Sequence, residues 1–283
     1  MLEIHENLAG KTAVITGGSG VLCGAMAKEL GRQGMNVAIL NRTVEKGEVV
    51  AEAIRKAGGA AIAVECDVIN QRSVEQAKRV VADRFGGCDL LVNGAGGNHP
   101  NGTTSDETFN SEQHLFQDNI KTLFDLNCDD VGSVLNLNFL GSFIPTQQFA
   151  KMMLNQKGAS VINISSMSAQ TPMTKVPAYS AAKAGIDNFT KWLAVYLAET
   201  GIRVNAIAPG FFLTNQNERL LLDQNGEFTD RAKKIISHTP MKRFGKPEDL
   251  LGTLLWLADE NMSGFVTGIT VPVDGGFTAY AGV

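Results

Sequence analysis

The sequence has no C-x-x-C pair, and its four cysteines, Cys23, Cys66, Cys88 and Cys128, lie far apart along the chain. This spacing argues against the usual zinc-ligand patterns and against a disulfide framework, so no bound metal is expected. Free thiols in an acidic chain are typical of a reducing compartment. We therefore expect the protein in the cytoplasm.

Membrane-spanning and secretory segments are also missing. No apolar run approaches the ~18 residues needed to cross a bilayer, and residues 1–10 lack the charged start and apolar run of a signal peptide. Lys and Arg total 25 against 29 Asp and Glu, a formal net charge of −4, and they form no basic run. Neither a membrane nor a nucleic acid is therefore expected as a partner.

What the sequence contains is a regular alternation of short apolar strands and helical patterns. Strands are predicted at 12–16, 36–40, 61–67, 89–93, 160–165, 203–209 and 270–273. Helices are predicted from about 21 to 34, over 44–56, over about 72–85 and over 178–200. Because the strands are apolar throughout, both faces of a parallel sheet must be covered. The pattern predicts an α/β fold with one doubly wound parallel sheet, as a single domain over residues 1–283.

Two insertions, residues 97–125 and 211–240, interrupt this alternation after strands. The first is rich in Gly, Asn, Thr and Ser near its start. Ligands of open α/β sheets bind beyond the carboxyl ends of the strands. The two insertions are therefore predicted to form walls of a substrate site, with a tolerated surface loop as the alternative for each.

The first strand runs into a glycine-rich turn, T-G-G-S-G-V-L-C-G, that begins at Thr16. Its glycines leave no Cβ between backbone and phosphate, and a helix that begins near Val21 directs its N–H groups there. Such a turn usually ends in a further glycine that allows close helix–strand packing. Cys23 stands in that place, and we interpret it as a packing substitution. The predicted dinucleotide contacts are Gly17, Gly18, Ser19, Gly20, Val21 and Leu22.

The second strand ends at Asn41 and Arg42, where NAD-binding folds place a carboxylate against the adenosine ribose. Asn41 can still hydrogen-bond a bare ribose, and Arg42 is suited to pair with the 2′-phosphate of NADP. The sequence therefore allows NAD or NADP, with a weak lean towards NADP. A solvated surface charge is the alternative for Arg42.

Tyr179 and Lys183 are four residues apart, so they share one face of the long predicted helix. Lys183 is then expected to favour the phenolate and to lower the tyrosine pKa from about 10. This predicts Tyr179 as a general acid/base near neutral pH, with Ser166 hydrogen-bonding the same substrate oxygen. A lone Y-x-x-x-K also occurs on ordinary amphipathic helices, but the strand-end serine and the glycine turn favour a catalytic role.

Together these motifs resemble the short-chain dehydrogenase/reductase family over residues 8–277. Similar motifs are C-D-V at 66–68, N-G-A-G at 93–96, L-N-F-L-G at 137–141, A-P-G-F-F-L-T at 208–214, R-F-G-K-P-E-D at 243–249 and V-D-G-G at 273–276. The resemblance implies a Rossmann fold, an NAD(P)-dependent oxidoreductase, a homotetramer and a catalytic tetrad of Asn138, Ser166, Tyr179 and Lys183. It also implies cofactor contacts at Asp67, Val68, Asn93, Ala95, Gly96, Tyr179, Lys183, Pro209, Gly210, Phe212 and Thr214.

The chain departs from the usual family pattern in two places. The G-x-x-G spacing of Gly17 and Gly20 is nearer to the family's longer epimerase branch, and the 42 positions from Gly96 to Asn138 exceed the usual length. The glycine turn, N-G-A-G-G-N-H-P and A-P-G-F-F-L-T-N-Q-N together resemble one subgroup, the D-mannonate oxidoreductases or fructuronate reductases. That resemblance implies interconversion of D-mannonate and D-fructuronate.

A sugar-acid substrate needs hydroxyl partners and a cation for its carboxylate. Arg219 is the first candidate for the carboxylate and Lys175 the second, while Asn98 and His99 are further substrate candidates. A surface charge or loop residue is the alternative reading. Other possible activities are reduction of another keto sugar acid, a polyol or a 3-oxoacyl thioester. A non-catalytic dinucleotide sensor would predict a broken tetrad, and all four members are present.

Overall fold

A seven-stranded parallel sheet forms the centre of the computed structural model. Its strands are β1 Thr12–Thr16, β2 Asn36–Asn41, β3 Ala60–Glu65, β4 Leu90–Asn93, β5 Ser160–Ile164, β6 Arg203–Pro209 and β7 Thr270–Val273. Their order in the sheet is β3-β2-β1-β4-β5-β6-β7, so the predicted doubly wound α/β fold is confirmed. The structure describes residues 2–114, 119–154, 156–214 and 221–282, without the side chains of residues 113 and 114.

Helices cover both faces of this sheet. They are α1 Val21–Arg32, α2 Val44–Lys56, α3 Gln71–Phe85, α4 Ser111–His114, α5 Cys128–Leu135, α6 Gly141–Met153, α7 Pro177–Tyr196, α8 Asp230–His238, α9 Leu251–Ala258 and α10 Glu260–Ser263. The predicted bounds of α2 match, and α7 ends earlier than predicted because Ala198–Thr200 forms a separate 3-10 turn. In the four described ranges, no helix combines the length and the apolar character needed to cross a membrane.

The apolar strands are explained by two cores, one on each face of the sheet. Within β1, Ile15 faces the core that contains α1, α2 and α9, whereas Val14 faces the core of α3, α6 and α7. Met26 of α1 and Phe149 of α6 are fully buried in these two cores. Alternate residues of a strand point to opposite faces, so a strand covered on both sides is apolar at every position.

A chain of buried amide and hydroxyl groups crosses the sheet beside the cores. The Asn93 side-chain amide donates to Thr146 Oγ1 and to Asn163 Oδ1, both at 2.8 Å. Asn163 in turn donates to Thr190 Oγ1 at 2.9 Å. This chain ties α6, β4, β5 and α7 together. It also corrects the expected role of Asn93, whose side chain is 1% exposed and faces the interior rather than a cofactor.

The glycine turn after β1 packs directly on the turn after β4. A Cβ added at Gly94 would overlap the Sγ of Cys23 and would lie 3.0 Å from the Thr16 carbonyl oxygen. Gly17 has φ +65°, and a Cβ there would lie 2.9 Å from Ala95 Cα. Cys23 therefore occupies space that Gly94 leaves free, which explains how helix and strand stay close without the usual last glycine.

We expect a strong coupling between positions 23 and 94. Gly94→Ala alone should destabilise the fold by about 1–3 kcal/mol through overpacking, and Cys23→Gly alone by a similar amount through lost burial and helix propensity. The double variant should be less destabilised than the sum of the two, by about 1 kcal/mol or more. Thermal unfolding of the four proteins at one protein concentration measures this coupling.

Gly132→Ala provides the matched control for the added methyl group. Gly132 lies in α5, and a Cβ there would meet nothing within 4 Å, so this variant should melt at or slightly above the wild-type temperature. Strictly additive effects at positions 23 and 94 would contradict the packing explanation.

Candidate active site

A cavity of about 500 Å³, the catalytic cavity, opens at the carboxyl ends of the strands. It lies where the sheet order switches between β1 and β4, the usual ligand crevice of such sheets. Of the predicted site residues, those that line it are Gly17, Ser19, Gly20, Val21, Leu22, Asn41, Arg42, Val68, Ala95, Gly96, Ser166, Tyr179, Lys183, Pro209, Gly210, Phe212 and Thr214. The structure thus brings the glycine turn and the Ser–Tyr–Lys cluster to one cavity.

Four of the predicted cofactor and tetrad residues do not line this cavity and support it from behind. Gly18 is buried against Ile39 of β2. The carboxylate of Asp67 accepts the N–H of Ile69 at 3.2 Å, so it stabilises its own turn. Asn93 belongs to the polar chain within the sheet, and Asn138 is 0% exposed. The prediction of direct contact at these positions is therefore not supported by the geometry.

The start of α1 fits a pyrophosphate group. Gly20 is the N-cap residue, and no described side chain caps the helix. The first N–H groups of a helix have no partner within the helix and carry its positive dipole end. Ser19, Val21 and Leu22 line the cavity at this point, so their backbone is placed to bind phosphate oxygens.

Asn41 and Arg42 differ in what remains available for the adenosine half of a dinucleotide. The Asn41 side chain is paired with Ser19: its Oδ1 accepts the Ser19 N–H at 3.1 Å, and its Nδ2 donates to Ser19 Oγ at 2.7 Å. Asn41 therefore holds the glycine turn in place as well as lining the cavity. Arg42 is exposed, and it makes no hydrogen bond or ion pair within the described part of the chain.

Ser166 and Tyr179 form a hydrogen-bonded pair in the cavity. Ser166 follows β5, and its Oγ accepts hydrogen bonds from Ser168 N at 3.1 Å and Ser168 Oγ at 3.0 Å, which fix its orientation. Burial raises the pKa of Tyr179, and a hydrogen bond with Ser166 acts in the opposite direction. The phenol therefore already contacts the hydroxyl that is expected to share the substrate oxygen.

Lys183 corrects the expectation that its charge lowers the tyrosine pKa. Its Nζ donates to the Ile164 carbonyl at 2.8 Å and lies 5.7 Å from the centre of the Tyr179 ring. Burial lowers the pKa of Lys183 itself to about 8, with Cys23 and Asp187 opposing the shift. Burial thus governs both groups: it raises the phenol pKa and lowers the ammonium pKa, because it disfavours each charged form.

Asn138 lies in a π-helical segment, Asn136–Leu140, between α5 and α6. Its Nδ2 donates to the carbonyls of Val134 at 2.8 Å and Gly97 at 2.7 Å, and its Oδ1 accepts the Gly97 N–H at 3.1 Å. Both amide donors are therefore used within the protein. The wide turn, of a kind common at functional sites, allows Asn138 to hold the loop that follows β4.

The predicted substrate residues Asn98 and His99 are engaged inside the first insertion. Asn98 Nδ2 donates to Thr103 Oγ1 at 2.8 Å, and His99 Nδ1 accepts the Asn101 N–H at 3.3 Å. Neither residue lines the catalytic cavity. Both side chains shape their own loop, so a substrate contact from them is not supported. Arg219 lies outside the described residues.

A second cavity, of about 470 Å³, lies between the two insertions and is called the insertion cavity below. Glu107 of the first insertion forms an ion pair across it with Lys234 of α8. Lys175 lines it too, with φ +72° and its Nζ donating to the Ser105 carbonyl at 2.6 Å. The insertions thus come together as walls, and Lys175 braces one of them.

Sequence reasoning missed three basic residues of this second cavity, Arg231, Lys234 and His238. They lie on α8, which begins after the N-cap Thr229 and has a strongly amphipathic pattern. This amphipathic pattern is the sequence signal that could have identified them. Among the residues that the structure describes, no group of three His, Cys, Asp or Glu side chains is placed to hold a metal ion.

Comparison with known proteins identifies the family. A family model described as short chain dehydrogenase matches residues 11–225. UxuB, an uncharacterized oxidoreductase of Bacillus subtilis, is 62% identical over 283 residues, 100% of both chains. A crystal structure from Haemophilus influenzae with bound NAD, provisionally named a D-mannonate oxidoreductase, is 51% identical, covers 98% of each chain and has a TM-score of 0.94.

A 3-oxoacyl-[acyl-carrier-protein] reductase of Synechocystis is 34% identical over 275 residues, 96% of this chain and 99% of its own length. The matches span the whole fold, from the glycine turn to the last strand. The chain therefore belongs to the short-chain dehydrogenase/reductase family, whose members are NAD(P)-dependent oxidoreductases.

Proposed function

We propose that the protein interconverts D-mannonate and D-fructuronate with NAD as cofactor, and that Tyr179 is the general acid/base. The observation that carries the reaction type is the catalytic cavity itself, which joins an uncapped helix start to the Ser166, Tyr179 and Lys183 side chains. The substrate is taken from the Haemophilus relative, which has the same fold at 51% identity and a mannonate oxidoreductase name.

The same relative favours NAD over NADP. It was crystallised with bound NAD, whereas the lean towards NADP rested on Arg42 alone. Asn41 keeps acceptor and donor capacity beyond its two bonds to Ser19. We propose that Asn41 binds the ribose of NAD and that Arg42 lies along its outer edge. The other cavity-lining residues predicted above are proposed as the remaining cofactor contacts.

A bound nicotinamide supplies the hydride for reduction and accepts it for oxidation. Tyr179 gives its proton to the developing alkoxide during reduction and removes the alcohol proton during oxidation. Ser166 donates a hydrogen bond to the same oxygen and stabilises its charge. Because burial disfavours the phenolate, the oxidation direction needs a cation close by, and an oxidised nicotinamide, when bound, would supply that positive charge.

Asn138 is proposed as a positioning residue. Its amide donors are bound to the Val134 and Gly97 carbonyls, so this side chain holds the loop after β4 in place. That loop carries Gly96 and Gly97, which line the cavity next to the lysine.

Turnover of D-fructuronate with NADH is the first expected result, with NADPH at least about tenfold poorer in kcat/KM. Tyr179→Phe should lose about 10²–10⁴-fold in kcat because the proton donor is gone, while NADH binding, followed by fluorescence titration, stays nearly unchanged. Tyr196→Phe, on the exposed part of the same helix, is the control and should keep full activity. Full activity of Tyr179→Phe would end the assignment.

The two directions should respond oppositely to pH. Reduction needs the protonated phenol and oxidation needs the phenolate, so kcat for reduction should fall, and kcat for oxidation should rise, as the pH increases. Because burial raises the phenol pKa above its usual value of about 10, both changes should be largest at the alkaline end of the range. Lys183→Met removes the amine that lines the cavity beside the phenol, so it should lower activity in both directions. Parallel profiles in the two directions would show that Tyr179 does not carry the proton.

A homotetramer is proposed from the family resemblance and from an exposed aromatic face on α7. Trp192 is 54% exposed and stacks on Tyr196, which is 69% exposed, with ring centres 4.8 Å apart. Light scattering should give four times the chain mass of 30.2 kDa, and Trp192→Glu should lower that mass. A monomer in the wild type would refute the proposal. The cytoplasmic location of the protein remains a prediction.

A further inference from the structure

The insertion cavity adjoins the catalytic cavity. Phe211 lines both, and its ring packs edge-on against Phe277 with ring centres 5.3 Å apart. Residues 171–175, in the segment that connects Ser166 to Tyr179, form one wall of the insertion cavity. A molecule bound at the Ser166–Tyr179 pair and extending past Phe211 would therefore enter this second space.

Basic side chains outnumber acidic ones in this second space, although the chain as a whole carries a formal charge of −4. Those that line it are Lys175, Arg231, Lys234 and His238, against Glu107 and Asp230. Asp230 lines the cavity, but its side chain is fully exposed and lies 3.9 Å from the ammonium of Lys233, a residue that does not line the cavity. Glu107 is left as the carboxylate among the cations.

The pKa of Glu107 indicates a positive potential in the insertion cavity. Its pKa is lowered first by the hydrogen bond from Lys234, and also by the charges of Lys175 and Arg231. Three cations from two segments of the chain therefore act on one carboxylate. Such convergence of cations is typical of a site that accepts an anionic group.

Arg231 is the cation with capacity to spare. Lys175 donates to the Ser105 carbonyl and Lys234 is paired with Glu107. Arg231 makes no hydrogen bond or ion pair within the ranges that the structure describes. Its planar guanidinium presents two parallel N–H donors to a carboxylate, a geometry that a lysine cannot match.

We infer that Arg231 binds the carboxylate of the substrate in the insertion cavity, with Lys234 beside it and Glu107 holding Lys234 when no substrate is bound. The inference rests on the proposed sugar-acid function and adds its specificity residue. A ketone without a carboxylate gains nothing from this site, because its neutral end leaves the guanidinium unpaired.

Arg231→Gln tests the inference through a split between KM and kcat. The KM for D-fructuronate should rise by about tenfold or more with kcat nearly unchanged, because the lost contact acts on bound substrate away from the reacting carbon. The kcat/KM for D-fructose, a neutral keto sugar, should stay the same. Lys233→Gln is the matched control, since Lys233 precedes Lys234 on α8 but does not line the cavity.

Glu107→Gln provides the opposite change. It frees Lys234 and removes the competing carboxylate, so the KM for D-fructuronate should fall by about two- to fivefold, again with no change for D-fructose. Equal effects of Arg231→Gln and Lys233→Gln, or equal effects on charged and neutral substrates, would overturn the inference while leaving the proposed function intact.

A binding measurement distinguishes failure of the proposed function from failure of the inference about Arg231. If the wild type does not turn over D-fructuronate, the proposed function fails, and the NAD-loaded protein is melted with D-gluconate or with neutral D-glucitol. The inference then requires that D-gluconate raises the melting temperature of the wild type but not of Arg231→Gln, and that D-glucitol raises neither. Equal protection by the two compounds, or none by D-gluconate, would overturn it.

Discussion

The close contact between the turn after β1 and the turn after β4 is the constraint on which the site depends. The Thr16 hydroxyl accepts the N–H groups of Gly94 and Ala95 at 3.0 and 3.2 Å, and Cys23 packs into the space above Gly94. This contact sets the start of α1, where phosphate is expected to bind, at a fixed distance from Gly96 and the lysine beyond it. We therefore expect a change in this contact to disturb both halves of the cavity.

Burial of Tyr179 and Lys183 is the second physical factor. The site must exclude water around a substrate, yet a proton must still be able to move there. Burial raises the pKa of Tyr179 above its usual value of about 10 and lowers that of Lys183 to about 8, so the two values move apart. In the protein alone the ammonium is bound to the Ile164 carbonyl rather than to the phenol. The Tyr179 phenolate therefore depends on charges brought by the cofactor as well as on the chain.

Sequence patterns predicted the sheet well because each strand is covered on both faces, which leaves a continuous apolar run such as Thr12–Thr16. They also predicted that Tyr179 and Lys183 share one cavity, because residues four apart lie on one face of a helix. They failed for Asn93 and Asn138, whose partners lie 70 and 41 positions away. A side chain's direction depends on such distant partners, and neither spacing nor residue type reveals them.

The same limit explains the insertions, where the predicted Asn98 and His99 bond to residues of their own exposed loop and Arg231 was overlooked. The separation of the two cavities also has an electrostatic consequence. A substrate carboxylate next to Tyr179 would add negative charge beside a phenol whose pKa burial already raises, and so would oppose formation of the phenolate. A carboxylate bound among Arg231 and Lys234, beyond the Phe211–Phe277 pair, is neutralised where it binds. With the proposed substrate, cations on the second insertion would thus keep the substrate's charge apart from the proton transfer.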